Sequence, residues 1–295
     1  MHGTDTVGVA YPNVESLWQS VAESLLPNGC SYWQSVEDTV EGVLGGYGHI
    51  ANVDASASLA LLRSVGVMGG VACDCGAGIG RVVKDVLLQV FDNVDLVEPD
   101  CRFVERARRD LAAAGVEDRV TFVCEPIQHF VPTPNRYACI WVQWVCGHLR
   151  DDAFISFLER CKLALCVGGV LCIKENNAPE KSGWVFDRSD FCLTRTDSMY
   201  RALFAQAGLT LVCRRKQTGF PKELLPVFTY VLQPSSHAPK SVPSDVQRSV
   251  PADYTLRLRS RLVSNRRSDN RRSGSIRGSA GARSTLRHCS GSNNG

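Results

Sequence analysis

The regular alternation of short apolar runs with amphipathic segments constrains the fold of this chain more than any other feature. The runs are VACDC from residue 71, VDLVEP from 94, RVTFVC from 119, YACIWVQWV from 137 and GGVLCIKE from 168. Helical patterns separate them, and two more strand patterns follow at 210–218 and 225–232. Strands that alternate with helices predict an α/β fold, a mostly parallel sheet with helices on both faces. Ligands of such sheets bind beyond the carboxyl ends of the strands.

The segment DCGAGIGR, residues 74–81, directly follows the first predicted strand and opens a helix. Its three glycines permit a tight turn and close approach of a ligand to backbone N–H groups. Glu98 ends the second strand, where a carboxylate can accept both ribose hydroxyls of an adenosine. The glycine spacing differs from the G-x-G-x-x-G of nicotinamide enzymes and resembles the first motif of S-adenosylmethionine-dependent methyltransferases. The alternative is a glycine-rich turn without a ligand.

The segment IWVQWVCGHL, residues 140–149, ends the fourth predicted strand with unusual side chains. Two-residue alternation places Trp141 and Gln143 on one face and Trp144 on the other. Gln143 is expected near the cofactor, Trp144 can present its ring to a cation, and His148 can accept a proton near neutral pH. Taken alone, each residue is also compatible with core packing or a cap. Trp141 is expected in the core.

Four segments in this order, GGYGHI, DCGAGIGR, IWVQWVCGHL and IKEN, resemble the eukaryotic protein N-terminal methyltransferases over residues 32–232. That family transfers methyl groups from S-adenosyl-L-methionine to the α-amino group of proteins that begin Xaa-Pro-Lys or Xaa-Pro-Arg. The resemblance implies a Rossmann-like methyltransferase fold with seven strands. It also implies protein substrates with such N-termini.

The resemblance also assigns roles to individual positions. The implied cofactor contacts are Gly76, Gly78, Arg81, Glu98, Ile127, Gln128 and Gln143. The implied substrate contacts are Tyr32, Trp33, Trp144, Asn176, Asp187 and Glu223, and the implied proton acceptors are His148 and Asp190. Four positions near the predicted substrate site depart from the family pattern: Arg188, Phe191, Leu225 and Pro226. Arg188 stands between two acids and predicts weaker selectivity for a basic third residue, and the bulk of Phe191 predicts a limit on the number of methyl groups.

Three regions are expected along the chain. A helical extension and lid occupies 1–53, the S-adenosylmethionine-binding methyltransferase domain 54–233, and a disordered basic tail 234–295. Helical spacing occurs at 13–26 and 32–44, and Asp54 suits the N-cap of the helix that follows, which ends at Gly66. The tail has twelve Lys and Arg against three Asp, a net charge of +9, and the rest has 21 basic against 27 acidic side chains, or −6. An acidic body favours a basic substrate, and a basic tail can bind partners or nucleic acid or direct nuclear import.

The remaining features indicate the compartment. The N-terminus has no signal-peptide pattern, and the longest apolar run, 163–173, is too short to span a membrane. The thirteen cysteines fall mostly in apolar segments, so we expect reduced, buried thiols. Cys73 and Cys75 lack the second pair of ligands that a zinc site needs. We therefore expect a cytoplasmic or nuclear monomer without a metal centre.

Other activities fit parts of these patterns. A methyltransferase of a small molecule or of a lysine side chain would use the same cofactor residues. A catalytically inactive cofactor-binding module, possible for any such fold, is disfavoured by the set Gly76, Glu98, Gln143, His148 and Asp190. Adenine-N6 enzymes end strand four with an Asn/Asp-Pro-Pro-aromatic motif, and Gln143-Trp144-Val145 does not match it. The glycine spacing disfavours an oxidoreductase.

Overall fold

A computed structural model describes residues 2–235, with the backbone alone for 22–31. The strands in chain order are β1 (Gly3–Asp5), β2 (Ala10–Tyr11), β3 (Val71–Cys75), β4 (Asn93–Glu98), β5 (Val120–Cys124), β6 (Tyr137–Gln143), β7 (Leu165–Asn176), β8 (Trp184–Asp187), β9 (Cys192–Thr194), β10 (Leu209–Lys216) and β11 (Val227–Pro234). The helices are α1 (Val14–Ser35), α2 (Val40–Val43), α3 (Ala51–Val65), α4 (Arg81–Asp85), α5 (Cys101–Ala113), α6 (Asp151–Ala164) and α7 (Asp197–Gln206). No helix among the described residues is both long and apolar enough to cross a membrane. Apart from residues 234 and 235, the predicted disordered tail lies outside the described residues.

The predicted mostly parallel sheet with helices on both faces is confirmed. Seven strands pair in the order β10-β11-β7-β6-β3-β4-β5, and β11 runs antiparallel to both of its neighbours. The alternation of β6 supplies both cores. Ile140 and Val142 pack with Phe154 and Phe204 of α6 and α7. Trp141 packs on the opposite face, in a cluster with residues of α3, α4 and α5, and is fully buried as predicted.

The direction of winding reverses at β3, and this reversal positions the site. The chain passes from β3 to β4 and β5 on one side, and then returns to place β6 on the other side of β3. A crevice forms where parallel strands diverge in this way, beyond their carboxyl ends. Cys75, Glu98 and Gln143 end the three central strands and therefore border this crevice.

A second, four-stranded sheet has the order β2-β1-β8-β9 and was not predicted. The sequence predicts a helical extension over residues 1–53, whereas β1 pairs in parallel with β8 and antiparallel with β2. Tyr11, Trp18, Trp184 and Phe186 are buried in its core. The periodicity of the sequence did not reveal β1 or β2, because they have only three and two residues and β1 pairs with a distant segment.

The N-terminal helices also differ from their predicted bounds. Helix patterns at 13–26 and 32–44 predicted two helices, but α1 continues to Ser35 and only the short α2 follows. Asp54 was expected to cap a helix that begins there. Instead α3 begins at Ala51, and Asp54 lies within its first turn with no exposed surface. A buried acid in a helix needs charged or hydrogen-bonding partners, and those partners belong to the site described below.

The expectation of reduced cysteines is wrong for one pair. Cys101 at the start of α5 and Cys124 at the end of β5 form a disulfide, with Cα atoms 5.7 Å apart. Residue 124 pairs with Glu98 across the sheet, and α5 begins three residues after Glu98, so the topology brings the two sulfurs together. Nine other described cysteines are free, most of them buried as expected.

Candidate active site

A cavity of about 520 Å³ lies at the carboxyl ends of β3, β4 and β6. This volume is within the range of sites that enclose small ligands, about 300–1,000 Å³. Most of the predicted site residues line it, although they are far apart in the sequence. They are Trp33, Gly76, Gly78, Arg81, Glu98, Ile127, Gln128, Gln143, Trp144, His148 and Asp190.

The glycine loop is tied to the acid at the end of β4. Gly76 has φ of 77°, and a Cβ there would come within 2.7 Å of the Val145 side chain, so this position requires glycine. The Gly78 N–H donates to Glu98 Oε2 at 2.9 Å, and the Asp100 N–H donates to Oε1 at 3.0 Å. Burial raises the pKa of Glu98, although these two hydrogen bonds oppose the shift. Each carboxylate oxygen can accept a further hydrogen bond from a ligand in the cavity.

Asp54 is the centre of a buried charge cluster that the sequence analysis missed. Its carboxylate binds Arg81 Nη1 at 2.6 Å and Lys174 Nζ at 2.5 Å. Burial by itself would raise the pKa of Asp54, but the charges of Lys174 and Arg81 hold it below its usual value. The ionised carboxylate therefore fixes Arg81, which was predicted to bind the cofactor. The one sequence signal was Lys174, a lysine inside an apolar strand.

The amide of Gln143 is oriented from both sides. Its Nε2 donates to the Asp54 carboxylate at 2.9 Å, and its Oε1 accepts from Trp141 Nε1 at 3.0 Å. Trp141 thus belongs to the core, as predicted, and also orients Gln143. Gln143 is only 7% exposed, so it faces the cavity from a fixed position.

Two buried polar atoms that line the cavity have no hydrogen-bond partner among the described residues. They are Asp74 Oδ2 and Trp144 Nε1. Burial, and to a smaller extent the charge of Glu98, raises the pKa of Asp74 to about 7, while Arg81 opposes the shift. A buried carboxylate oxygen without a partner is costly unless a ligand satisfies it. The cavity therefore suits a ligand that presents a cationic or N–H donor to Asp74.

Trp144 lies outside β6, which ends at Gln143, and not on the strand as the sequence analysis supposed. Its φ of 56° is in the left-handed region, which a bulky residue adopts at an energetic cost. This backbone turns the chain out of the sheet. The Arg81 guanidinium lies 5.8 Å from the centroid of the Trp144 ring, and the Phe220 ring centroid lies 6.4 Å from it. Strained backbone of this kind is concentrated at functional sites.

The turn that carries His148, Cys146–His148, is held by two buried charged residues that the sequence analysis also missed. Glu175 Oε1 accepts the N–H groups of Val145 and Cys146 at 2.8 and 2.7 Å. Arg195 donates to the carbonyls of Cys146 and Leu149 at 3.0 and 2.6 Å. Since both side chains are nearly inaccessible to solvent, the turn has little freedom to move.

His148 and Asp190 lie at one end of the cavity. Burial lowers the pKa of His148, although hydrogen bonds to the main chain at Phe191 and Asp190 oppose the shift. Burial, followed by the charge of Asp187, raises the pKa of Asp190 to about 6. Near pH 7 the site therefore presents a neutral imidazole and a largely ionised carboxylate, both of which can accept a proton.

The structure places the four other predicted substrate residues outside the lining of the cavity. Tyr32 packs edge-to-face on Trp33 with centroids 5.3 Å apart, and burial followed by the charges of Asp190 and Asp187 raises its pKa. Tyr32 and Asp187 therefore lie beside the cavity at its Asp190 end. Asn176 ends β7 opposite Val227, and Glu223 is exposed, so neither is brought into the cavity.

The lid predicted at Tyr32 and Trp33 is held by arginines of α5. Arg102 Nη2 donates to the Trp33 carbonyl at 2.9 Å, and Arg106 Nη1 donates to the Asp38 carbonyl at 2.6 Å. The Trp33 ring meets the His148 imidazole edge-to-face with centroids 5.9 Å apart. The end of α1 therefore covers the part of the cavity that His148 lines.

Two of the departures from the family pattern, Arg188 and Phe191, have different surroundings. Arg188 points to the N-terminal strands, where its Nε donates to Asp5 Oδ2 at 2.6 Å and its Nη2 to the Tyr11 hydroxyl at 2.8 Å. Its charge is therefore paired, and the predicted loss of selectivity stays a prediction. Phe191 has φ of 58° and lines the cavity next to Asp190. This position is compatible with the prediction that its bulk limits the number of methyl groups added to the substrate.

Comparison with known proteins identifies relatives of this arrangement. A family model described as AdoMet-dependent proline di-methyltransferase matches residues 22–233. The "Alpha N-terminal protein methyltransferase 1" of Arabidopsis thaliana is 41% identical over 250 residues, covering 78% of this chain and 90% of that protein. The "N-terminal Xaa-Pro-Lys N-methyltransferase 1-B" of Xenopus laevis is 40% identical over 209 residues, covering 69% and 92%. A solved SAM-dependent methyltransferase from Leishmania major superposes with a TM-score of 0.73 at 32% identity, covering 79% of this chain and 96% of that one.

Proposed function

The chain belongs to the AdoMet-dependent proline di-methyltransferase family, and from that premise we propose that it methylates the α-amino group of proteins whose N-termini read Xaa-Pro-Lys or Xaa-Pro-Arg. The observation that carries this proposal is the pairing of His148 with Asp190 at one end of a cavity whose other residues suit an adenosine cofactor. The name of the Arabidopsis thaliana relative states methylation of protein α-N-termini, and that of the Xenopus laevis relative states an N-terminal Xaa-Pro-Lys sequence.

The residues of the cavity fit S-adenosylmethionine. The unpartnered Asp74 Oδ2 suits its α-ammonium group, and Arg81, anchored by Asp54, suits its carboxylate. Glu98 has acceptor capacity for the ribose hydroxyls, and Ile127 and Gln128 suit the adenine side. When bound, the cofactor supplies an electrophilic methyl group on a sulfonium centre.

The proton acceptors match an α-amine better than a lysine side chain. An α-amino group has a pKa of about 7.7–8.0, so deprotonation near pH 7 costs about 1 kcal/mol. A lysine with a pKa of about 10.4 would cost more than 4 kcal/mol. Asp190, with a pKa of about 6, and His148, whose pKa is lowered, are weak bases suited to the first task. One of these two bases takes the proton of the amine, and the other stays unprotonated.

The substrate side of the site suits a short cationic N-terminus. The Trp144 indole offers an apolar face to a proline at the second position. Asp187, beside Asp190, offers negative charge to the incoming ammonium and to a basic third residue. Since positioning accounts for much of the catalysis in such reactions, the Trp33 lid and the rigid Cys146–His148 turn hold the amine and the acceptor in place.

The proposal is tested by mass spectrometry of a Ser-Pro-Lys peptide incubated with the protein and S-adenosylmethionine. We expect methyl groups on the N-terminal nitrogen, and the same spectrum gives their number, which tests the influence of Phe191. A peptide that differs only by N-terminal acetylation should stay unmodified. Methylation of the acetylated peptide on its lysine would instead identify a lysine methyltransferase, which would use the same cofactor residues.

We also propose, from the sequence, that the protein acts as a monomer in the cytoplasm, the nucleus or both, and that its basic tail binds partners or nucleic acid. Deletion of residues 234–295 should then leave peptide methylation unchanged and should alter the distribution of a fluorescent fusion between the two compartments. An unchanged distribution would argue against a targeting role for the tail.

A further inference from the structure

Three side chains with different donor atoms come together beside the cavity, and His148 and Asp190 among them also line it. They are His148, Asp190 and Cys192, whose ligand atoms lie within 4.8 Å of one another. All three are partly buried. In the part of the chain that the structure describes, this is the only group of three or more His, Cys, Asp or Glu side chains that could hold a metal ion. The sequence predicts no metal centre here, because His148 is more than 40 residues from Asp190 and Cys192 along the chain.

The fold fixes the three residues on two adjoining segments. His148 lies on the turn held by Glu175 and Arg195, and Cys192 begins β9. A side chain at Gly147 would collide with the Cys192 sulfur, so this glycine lets the sulfur lie against the turn. The Cys192 N–H donates to Asp190 Oδ1 at 3.0 Å, which orients the carboxylate toward the same place.

The donor set selects a class of ion. An imidazole nitrogen, a carboxylate oxygen and a thiolate sulfur are ligands of zinc and its neighbours, whereas Mg²⁺ and Ca²⁺ prefer oxygen alone. Zinc bonds of about 2.0–2.3 Å in a tetrahedron place donor atoms roughly 3.3–3.7 Å apart. Side-chain movements of about 1 Å would therefore close the site around an ion. The imidazole of His148 is also hydrogen-bonded to the main chain at Phe191 and Asp190, the support that metal-bound histidines commonly have.

We propose that His148, Asp190 and Cys192 form a site for a zinc-class divalent ion, and that this ion inhibits methyl transfer by taking the place of the substrate amine. Binding replaces the S–H bond of Cys192 with a sulfur–metal bond and releases the proton to solvent. Two of the three ligands are the proposed proton acceptors, so the inhibitory part rests on the proposed function. The fourth coordination position faces the cavity, as in zinc sites with three protein ligands.

The proposal determines the pattern of inhibition. A bound dication removes the acceptor lone pairs and repels the substrate ammonium, so inhibition should be competitive with the peptide. It should not be competitive with S-adenosylmethionine, because Asp74, Arg81 and Glu98, which are proposed to hold the cofactor, are not among the three ligands. Chelation should restore the activity, since no covalent bond to carbon forms.

Direct binding is measured first, without peptide. The full-length protein is titrated with Zn²⁺ by calorimetry and with Co²⁺ by absorbance, which reports cobalt–thiolate bonds. Cys192→Ser should weaken Zn²⁺ binding at this site at least tenfold and remove its share of the thiolate absorbance, while retaining methyl transfer. Cys166→Ser, at the amino end of β7, is the matched control and should bind both ions like the natural protein.

The outcomes separate this proposal from the proposed function. Equal Zn²⁺ affinity of the natural protein and Cys192→Ser would overturn the site, whatever substrate the enzyme uses. A site that binds Zn²⁺ but leaves methyl transfer to Ser-Pro-Lys unaffected would overturn the inhibitory role. Two results together would support both the site and its inhibitory role. Zn²⁺ should suppress methyl transfer reversibly in the natural protein, and the same suppression in Cys192→Ser should need a tenfold higher Zn²⁺ concentration.

Discussion

The two ends of the cavity are built in different ways. The cofactor end is formed by the carboxyl ends of β3, β4 and β6, three adjacent strands of one parallel sheet, and is fixed by the buried Asp54 cluster. The substrate end is assembled from α1, the Cys146–His148 turn and the β8–β9 hairpin. That hairpin is itself extended by the N-terminal strand β1, which Asp5 and Arg188 connect to it by an ion pair.

The difference between the two ends indicates where the enzyme can accept substitutions with the smaller loss of stability. At the cofactor end, Asp54, Arg81 and Gln143 have buried partners, and Asp74 can be paired by a ligand. Substitution of one of these residues therefore leaves a buried charge or hydrogen-bonding group without its partner. The β8–β9 hairpin has more exposed connections, and the departures Arg188 and Phe191 are found there. The substrate end can therefore be altered with smaller losses of stability than the cofactor end.

The largest effect is expected from Asp190→Asn. The amide cannot accept the amine proton, so the rate at saturating peptide should fall about 100-fold or more, the usual range for loss of a general base. Cofactor affinity, measured by calorimetry, should change less than threefold. A parallel loss of cofactor affinity would mean that the two ends are not built independently.

Asp54→Asn tests the opposite end. Removal of the carboxylate leaves Lys174 and Arg81 without their buried counter-charge, so the free energy of unfolding should fall by about 3–5 kcal/mol. Asp85→Asn, an exposed acid in α4, is the matched control and should change it by less than about 0.5 kcal/mol. Denaturant unfolding of both variants gives the measurement, and equal stabilities would show that the cluster is not held together by charge.

A pH titration of cofactor binding sharpens the comparison further. Asp74, with a pKa of about 7, must be ionised to meet a cationic ammonium group. The protonated form is favoured below pH 7, so affinity for S-adenosylmethionine should fall as pH falls, by about tenfold per unit well below the pKa. In Asp74→Asn the affinity should be lower and nearly independent of pH between 5.5 and 7.5. A flat profile in the natural protein would remove Asp74 from the cofactor site.

The smallest effect is expected at the N-terminal strand. Asp5→Asn releases the positive charge of Arg188 near Asp187 and Asp190. Partly exposed ion pairs contribute about 0.2–1 kcal/mol, so KM for the Ser-Pro-Lys peptide should rise by at most about fivefold while cofactor affinity stays constant. Adding Arg188→Gln to this variant should restore KM. Failure of the second substitution to do so would assign Asp5 to folding of the hairpin alone.

Sequence patterns predicted the cofactor end better than the substrate end for a physical reason. Gly76 directly follows one strand and Glu98 ends the next, and both strands have clear sequence patterns, so the positions of these residues in the sheet follow from the chain order. Asp54 was misassigned because an acid near a helix start is typical of a cap and gives no sign of burial. The β1–β8 pairing and the Cys101–Cys124 disulfide depend on contacts between distant segments, which local patterns do not encode. The resemblance to a family supplied Asp190, but neither Glu175 nor Arg195.

The independence of the two ends is tested most directly by a double-mutant cycle of Glu98→Gln and Asp190→Asn. For each variant, cofactor affinity is measured by calorimetry. The rate of methyl transfer is measured separately, in single-turnover experiments at saturating cofactor. We expect Glu98→Gln to lower affinity by about tenfold or more through loss of a charge-assisted hydrogen bond, and to leave the rate within about threefold. Asp190→Asn should show the reverse, and the double variant should show the sum of both free-energy changes to within about 0.5 kcal/mol. A rate loss in Glu98→Gln, or a coupling energy above about 1 kcal/mol, would contradict the account.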